Sequence, residues 1–160
     1  MAVVVSNEDP YFGFNFLVDF SRGETAAFMK IGEVAHNVGV AEQIEISDPY
    51  GPAKIPDRCS WGDVAFERGL TVNKDLIKWF DNVVKGLTDG SYDSIGGEFR
   101  RTVVIFPIRK AEDRASANPP TRIVLYEAWP IGYKVGGFDA AGSNVLLESL
   151  TLAHEGLARL

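Results

Sequence analysis

Alternating apolar and polar positions predict that most of this chain folds into β-strands. The alternation is clearest in residues 11–20, where phenylalanine or valine fills every even position. Two further alternating runs, 121–131 and 145–153, lie on either side of a glycine-rich connection. Glycine tolerates the positive φ angles that turns require. These two runs are therefore predicted to form an antiparallel hairpin with a long connection.

Weaker alternation predicts strands at 27–34, 38–47 and 61–69, with His36 in the turn between the first two. A stronger run at 99–110 has two apolar faces, one with Val103 and Ile105, the other with Val104, Phe106 and Ile108. The run at 121–131 also has apolar residues on both faces. An antiparallel sheet with one wet side has a polar outer face, so both runs require cover on both sides. The 121–131 run places Ile123, Leu125, Trp129 and Ile131 on one face, and Val124, Tyr126 and Ala128 on the other.

One stretch has helical periodicity, with apolar residues at steps of three and four between Asn73 and Leu87. Asn73 is a favourable N-cap, and Asp75 suits the positive end of the helix dipole. Gly86 followed by Leu87 fits a left-handed C-cap. Trp79 falls just off the apolar stripe and is predicted to lie at the edge of the core.

Three prolines in residues 48–58 argue against a place inside a sheet, because proline cannot donate a backbone hydrogen bond. This segment is predicted to be an exposed loop or an arm lying on a neighbour. Polar loops are predicted at 91–97 and 110–120. The resulting fold class is mainly β: an antiparallel β-barrel or two-sheet sandwich with one packed α-helix. A length of 160 residues, 46% of them apolar, fits a single domain at 1–160, with 1–10 as a flexible leader.

Charge and composition narrow the possible functions. A net charge of −6 argues against a broad surface for nucleic acid, which needs a basic stripe. The single cysteine, Cys59, forms no internal disulfide and suits a reducing cytoplasm. The start of the chain resembles no signal peptide, and no apolar run reaches membrane length. We therefore expect assembly in the cytoplasm and no membrane insertion.

The usual signatures of catalysis are missing from the sequence. His154–Ala158 reads HEGLA, which lacks the second histidine of a zinc-binding helix, and neither a P-loop nor a GxSxG elbow occurs. Neither histidine comes with a persuasive serine or cysteine partner. The prediction is a protein that is not an enzyme and has no cofactor, metal or catalytic residue.

Five short motifs occur in a fixed order: DPYFGFNFLVDF at 9–20, ERGLT at 67–71, RRTVVIFPI at 100–108, AWP at 128–130 and ESLTLAHEGL at 148–157. Together they resemble the tail tube (inner tube) family of contractile phage tails and phage-tail-like contractile injection systems. The resemblance covers nearly the whole chain. It implies a tail-tube-like fold whose subunits form hexameric rings, which stack into a rigid tube propelled by contraction of a surrounding sheath.

The resemblance also implies partners: other copies of the chain, a sheath protein, baseplate hub or spike proteins, and tube-terminating proteins. Effector cargo or DNA would lie in the lumen of a virion or an extracellular or cell-associated injection particle. The segment DPYGPAKIPDRC at 48–59 is shorter than the family's usual loop, which favours a specialised baseplate-proximal layer or a divergent system. The alternative hypothesis is a monomeric β-barrel that binds a small apolar ligand; an enzyme on a split-barrel fold ranks third.

Candidate residues for the assembly interface come from the first strand, the proline segment, the helix and the motifs. They are Tyr11, Phe12, Pro49, Tyr50, Pro52, Lys54, Arg58, Trp79, Arg100, Arg101, Trp129, His154 and Glu155.

Overall fold

The computed structural model describes residues 16–20, 25–26, 28–44, 51–90, 99–108, 121–138, 142 and 144–160. Within these ranges the chain forms ten strands and one helix. In chain order they are β1 (Phe16–Asp19), β2 (Thr25–Ala26), β3 (Lys30–Ile31), β4 (His36–Gln43), β5 (Ala53–Trp61), β6 (Val64–Gly69), α1 (Asp75–Asp89), β7 (Arg101–Pro107), β8 (Ile123–Val135), β9 (Leu147–Ala153) and β10 (Gly156–Arg159).

Eight of these strands form one antiparallel sheet in the order β2-β1-β7-β8-β9-β6-β3, with β10 also paired to β8. Because β8 is long, its first half pairs with β7 and β10, and its second half pairs with β9. We call the strands on either side of this bend the β1 sheet (β2, β1, β7, the first half of β8, and β10) and the β9 sheet (the second half of β8, β9, β6 and β3). The predicted hairpin of 121–131 and 145–153 is confirmed by the pairing of β8 with β9. The path ends at β2 and β3, so the described sheet is a curled, open structure rather than a closed barrel.

The bend in β8 is made by a residue with an unusual backbone. Glu127 has φ of 51°, which places it in the left-handed region. One irregularity of strand pairing lies beside it, between Arg101 and Val103 of β7, and a second lies between Pro130 and Gly132 of β8. Such bulges bend strands and let a sheet turn a corner.

The bend also overturns the predicted faces of the 121–131 run. Ala128, predicted to lie opposite Leu125, is buried in the same core cluster as Leu125. Ile131, predicted to share the face of Leu125, is exposed. Side chains alternate between the two faces up to Tyr126. The left-handed backbone of Glu127 then moves the residues that follow it to the face opposite the predicted one.

The core lies between the two sheets and beneath α1. Val18, Val103 and Leu125 from the β1 sheet meet Phe66 and Leu150 from the β9 sheet. The rings of Phe20, Phe28, Phe66 and Trp79 contact one another at centroid distances of 5.4–6.2 Å. These rings occupy the interior in which a ligand-binding barrel would hold its ligand. On the second face of β7, Val104 and Phe106 are half-buried.

The helix differs from its prediction at both ends and in the role of its tryptophan. Its N-cap is Lys74 rather than the predicted Asn73, although Asn73 Oδ1 accepts from the N–H of Asp75 over 2.8 Å, and it ends at Asp89, with Gly90 as the C-cap at φ of 65°. Gly86 is therefore a buried interior residue rather than the C-cap. Trp79 is only 1% exposed, and its indole N–H donates to the carbonyl of Phe99 over 2.6 Å. Its predicted position at the edge of the core is wrong, because the buried stripe runs through it.

The segment 48–58 was predicted to be an exposed loop or an arm; from Ala53 onward it is exposed as expected, but it forms a strand rather than a loop. Residues 53–61 form β5, which pairs with β4 in a separate two-stranded sheet. Pro56 fits because it lies opposite Val40, next to a bulge, in a ribbon where no third strand is found among the described residues. His36, expected in a turn, is instead the first residue of β4. Residues 45–50 lie outside the described ranges.

Other predictions are shorter or longer than observed. The strand at 27–34 reduces to Lys30–Ile31, while Trp61 belongs to β5 and β6 starts at Val64. The strand β10, with four residues, was not predicted. The predicted leader at 1–10 and the loops at 91–97 and 110–120 fall outside the described residues. Among the residues that the structure describes, no helix is long and apolar enough to cross a membrane.

Candidate assembly surface

The hairpin of β4 and β5, which we call the arm, is exposed along almost its whole length. Only Ala41 and Trp61 are half-buried; all its other residues are exposed. Apolar side chains are among them: Val38, Val40 (64% exposed) and Ile55. An isolated two-stranded hairpin is at best marginally stable in water, and three or more strands are normally needed. The arm therefore presents an apolar ribbon that lacks cover within the described chain.

The arm is fixed to the body of the protein through Trp61. Its ring lies 5.6 Å from that of His36, its cross-strand partner, and 5.9 Å from that of His154, which follows β9. The Gly62 N–H also donates to the carbonyl of Ala35 over 2.9 Å and closes the base of the hairpin. The chain's two histidines thus lie on either side of the tryptophan from which the arm leaves the body.

His154 is held by a backbone contact. Its Nδ1 lies 3.0 Å from the carbonyl oxygen of Gly156. A carbonyl only accepts, so Nδ1 is the protonated nitrogen in this contact. The ring is 6% exposed, and its buried Nε2 has no hydrogen-bond partner among the described residues. The contact between Nδ1 and the carbonyl oxygen of Gly156 orients the His154 ring, which packs on Trp61.

A group of charged residues lies at the corner made by β8. The Arg100 guanidinium forms an ion pair with Glu155 and lies 3.9 Å from Glu127 Oε2. The same guanidinium is 5.4 Å from the ring centroid of Phe99, and Phe99 meets Trp129 edge to face at 6.5 Å. Both carboxylates are more than half exposed, so these pairs contribute little to stability. The corner is a polar, partly aromatic surface.

A buried network ties the β9 sheet together. Arg68 of β6 forms an ion pair with Glu148, its partner on β9, and Glu148 Oε2 accepts a hydrogen bond from the Tyr133 hydroxyl over 2.8 Å. Arg68 also donates to the carbonyl of Asn73, next to the start of α1, over 3.4 Å. Burial, followed by the hydrogen bond and charge of Glu148, raises the pKa of Tyr133 to about 12. Two of the sequence motifs, ERGLT and ESLTLAHEGL, therefore meet through Arg68 and Glu148.

The candidate interface residues that the structure describes fall into three groups. Pro52, Lys54 and Arg58 lie on or beside the arm and are exposed. Trp79 is enclosed in the core and does not reach the surface. The structure brings five others near the β8 corner or the base of the arm: Arg100, Arg101, Trp129, His154 and Glu155. The remaining candidates, Tyr11, Phe12, Pro49 and Tyr50, lie outside the described residues.

A second exposed apolar surface, which we call the rim, was missed by sequence reasoning. Its residues lie where β6 and β8 end and β9 begins. Val72 is 95% exposed and Phe138 is 85% exposed. The signal in the sequence was the pair of valines, Val72 and Val145, each next to an asparagine. The rim consists of Leu70, Val72, Val135, Phe138, Val145 and Leu147, all of them exposed.

The described residues contain no group of three or more histidine, cysteine or carboxylate side chains suited to a metal ion. The surfaces described above are apolar ribbons and ion pairs, which are features of protein contacts rather than of bond-making chemistry.

Solved structures of the same fold come from contractile injection machines. A chain in the cryo-EM structure of the anti-feeding prophage (AFP) baseplate is 22% identical, with a TM-score of 0.73, and the match covers 95% of this chain and 96% of that one. A chain in the sheath/tube terminator of the extracellular contractile injection system PVC is 15% identical, with a TM-score of 0.75 and coverage of 97% and 99%. A chain in the PVC sheath-tube complex is 14% identical, with a TM-score of 0.71 and coverage of 96% and 93%. No curated protein matches the chain.

These similarities show the fold of the chain. The chain belongs to the family described as T4-like virus tail tube protein gp19, whose model matches residues 13–158. The family resemblance and the fold class predicted from the sequence are thereby confirmed. Tail tube proteins are structural proteins, and this chain has a structural role in a tube rather than an enzymatic one.

Proposed function

We propose that six copies of this chain form a ring and that the rings stack into the inner tube of a contractile injection system or phage tail. Contraction of a surrounding sheath would drive the tube through a target envelope. Membership of the tail tube family supports the tube role, and the six-fold symmetrised AFP baseplate, which contains a chain of the same fold, supports the number of copies.

The observation that carries the assembly proposal is the exposed arm. An apolar two-stranded ribbon is stabilised when a third strand or another surface covers it. In a ring or stack of identical subunits, each arm gains that cover from a neighbour. The open sheet favours the same conclusion, because unpaired sheet edges are removed when neighbouring subunits pair their edges.

The partners follow from the tube role. We propose that the outer surface of the tube contacts a sheath protein, and that the ends of the tube contact a baseplate hub or spike and a tube-terminating protein. Cargo, either an effector protein or DNA, would pass through the lumen. Assembly would take place in the cytoplasm before the particle leaves the cell. Matches to baseplate, sheath-tube and terminator structures, with TM-scores of 0.71–0.75, fit a main tube layer and a baseplate-proximal layer equally well.

Shortening the arm tests the assembly proposal. Asn37 and Ser60 are cross-strand partners, so residues 38–59 can be replaced by the two-residue turn Asn-Gly, which suits a tight hairpin. We expect the shortened chain to fold, because the core contains no arm residue, but to lose self-association in sedimentation velocity. The control is the full-length chain at equal concentration. A shortened chain that assembles as well as the full-length one would contradict the role of the arm.

A further inference from the structure

The two histidines of the chain differ in their exposure to water, although both pack on Trp61. His36, on the arm, is exposed, whereas His154 is buried. The His154 ring reaches Trp61 from the turn between β9 and β10, with an angle of 48° between the two ring planes. This packing joins the base of the arm to the body of the protein.

The surroundings of His154 suit a neutral ring. Its Nδ1–H donates to the Gly156 carbonyl, and the buried Nε2 has no hydrogen-bond partner among the described residues. Protonation turns Nε2 into a second donor and gives the ring a positive charge. A buried charge whose N–H lacks an acceptor is destabilised, whereas the same charge is well solvated in water. The protonated ring is therefore more stable when it leaves Trp61 and turns out to water.

The charged groups around His154 do not supply the missing acceptor. Glu155, the next residue, forms an ion pair with Arg100, and Arg100 also lies 3.9 Å from Glu127. Within the described part of the chain, none of the charged or titratable groups on the surrounding elements reaches Nε2. These groups are His36 and Arg58 of the arm, Asp63, Arg101, Glu127, Glu155 and Arg159. In acid His36 adds a like charge on the other side of Trp61, which further disfavours the charged form of His154 at this place.

We propose that His154 is an acid-sensitive latch: its neutral ring holds Trp61 and the base of the arm against the body, and protonation of Nε2 releases them. Histidine is the side chain whose charge ordinarily changes between about pH 5 and about pH 8. The latch is closed at neutral pH and opens as the pH falls. It acts within one chain, so it goes beyond the proposed tube function and does not rest on it.

Hydrogen exchange at the base of the arm tests the latch in the full-length chain. The Gly62 N–H, which donates to the Ala35 carbonyl over 2.9 Å, reports whether the base is closed. We expect its protection, corrected for the intrinsic effect of pH on amide exchange, to be lost between about pH 8 and about pH 5. The Gly32 N–H, which donates to the Ala65 carbonyl in the body, is the internal control and should stay protected.

Two other results of this experiment would overturn the latch. Protection of Gly62 that is constant over the same pH range would show that the base does not respond to acid. Protection that rises in acid would show that attraction between the imidazolium and the face of Trp61 outweighs the burial of the charge.

Two variants separate the roles of the histidines. His154→Phe keeps a ring against Trp61 but takes up no proton, so Gly62 should stay protected in acid. His36→Phe is the matched control, because it replaces the exposed histidine that packs on the same tryptophan. Acid should still release the base of the arm in this variant. An acid response that persists in His154→Phe, or that disappears in His36→Phe, would overturn the assignment to His154.

Nitrogen-15 NMR of the histidine rings gives a second measurement, on the wild type, that stands even if His154→Phe does not fold. The chain has two histidines, so the signals lost in His36→Phe identify the other ring. We expect His154 to be in the Nδ1–H form at about pH 8, and its protonation to follow the same pH dependence as the loss of Gly62 protection. An Nε2–H form at that pH, or a protonated ring while Gly62 stays protected, would overturn the latch.

Discussion

At the scale of single residues, the buried network of Arg68, Glu148 and Tyr133 accounts for two sequence motifs at once. A buried carboxylate needs partners, and Glu148 has a guanidinium and a hydroxyl. The motifs themselves are visible in the sequence, but their contact is not, because Arg68 and Glu148 are 80 positions apart. Only the pairing of β6 with β9 places them opposite each other.

Tyr133 gives this network a measurable dependence on pH. The folded state raises the pKa of Tyr133 from 10.0 to about 12, so the folded protein holds this proton more tightly than the unfolded chain does. The stability that the hydrogen bond from Tyr133 to Glu148 contributes is present in full below pH 10 and is lost as pH rises toward 12. We expect Tyr133→Phe to lower the free energy of unfolding by about 2 kcal/mol at neutral pH, the usual value for a hydrogen bond to a charged group.

Urea unfolding of the wild type and of Tyr133→Phe between pH 8 and pH 12 measures this effect. The difference in the free energy of unfolding between the two proteins should be constant up to about pH 10 and should shrink above that pH. The exposed Tyr126 supplies the control, since Tyr126→Phe removes a hydroxyl without removing this bond. A difference that stays constant up to pH 12 would show that the hydroxyl does not hold its proton against Glu148.

At the scale of elements, strands were predictable wherever one face is buried. The run at 145–153 was recognised by its period of two, which a buried face imposes, and the structure buries Leu150 and Leu152 on that face. The arm had no such signal. Both its faces are exposed, and its prolines indicated a loop. The phase shift in β8 was also hidden, since nothing in the side-chain pattern announces a left-handed glutamate.

That left-handed glutamate leads to a prediction for β8. In the left-handed region a β-branched residue is strained, whereas asparagine is tolerated. We expect Glu127→Val to lower the free energy of unfolding by about 1–2 kcal/mol, and Glu127→Asn to change it by less than about 0.5 kcal/mol. Thermal and urea unfolding measure both.

Glu155→Val is the matched control for the Glu127 variants, because it also removes a carboxylate next to Arg100 but lies at a position without positive φ. Its cost should be small, as for exposed ion pairs in general. Equal costs for Glu127→Val and Glu155→Val would mean that the lost charge, rather than the bent backbone, decides the result.

At the scale of the whole molecule, the fold leaves several features that another copy would complete. Within the described residues, the eight-stranded sheet is open, the arm is a ribbon of two strands, and the rim is apolar and exposed. Each would be costly to leave uncovered in a monomer. The doubly apolar runs at 99–110 and 121–131 already require cover on both faces, which a second copy can supply. The structure adds the arm and the rim to the surfaces that require cover.

Ring and tube formation is tested most directly by electron microscopy of the purified wild-type chain across a concentration series, with and without baseplate proteins from the same system. We expect class averages with six-fold symmetry, either as rings or as stacked tubes, formed by the chain alone or nucleated by the baseplate. Uniform single-subunit particles under every condition, including with the baseplate, would contradict the proposed assembly of this chain into rings and tubes.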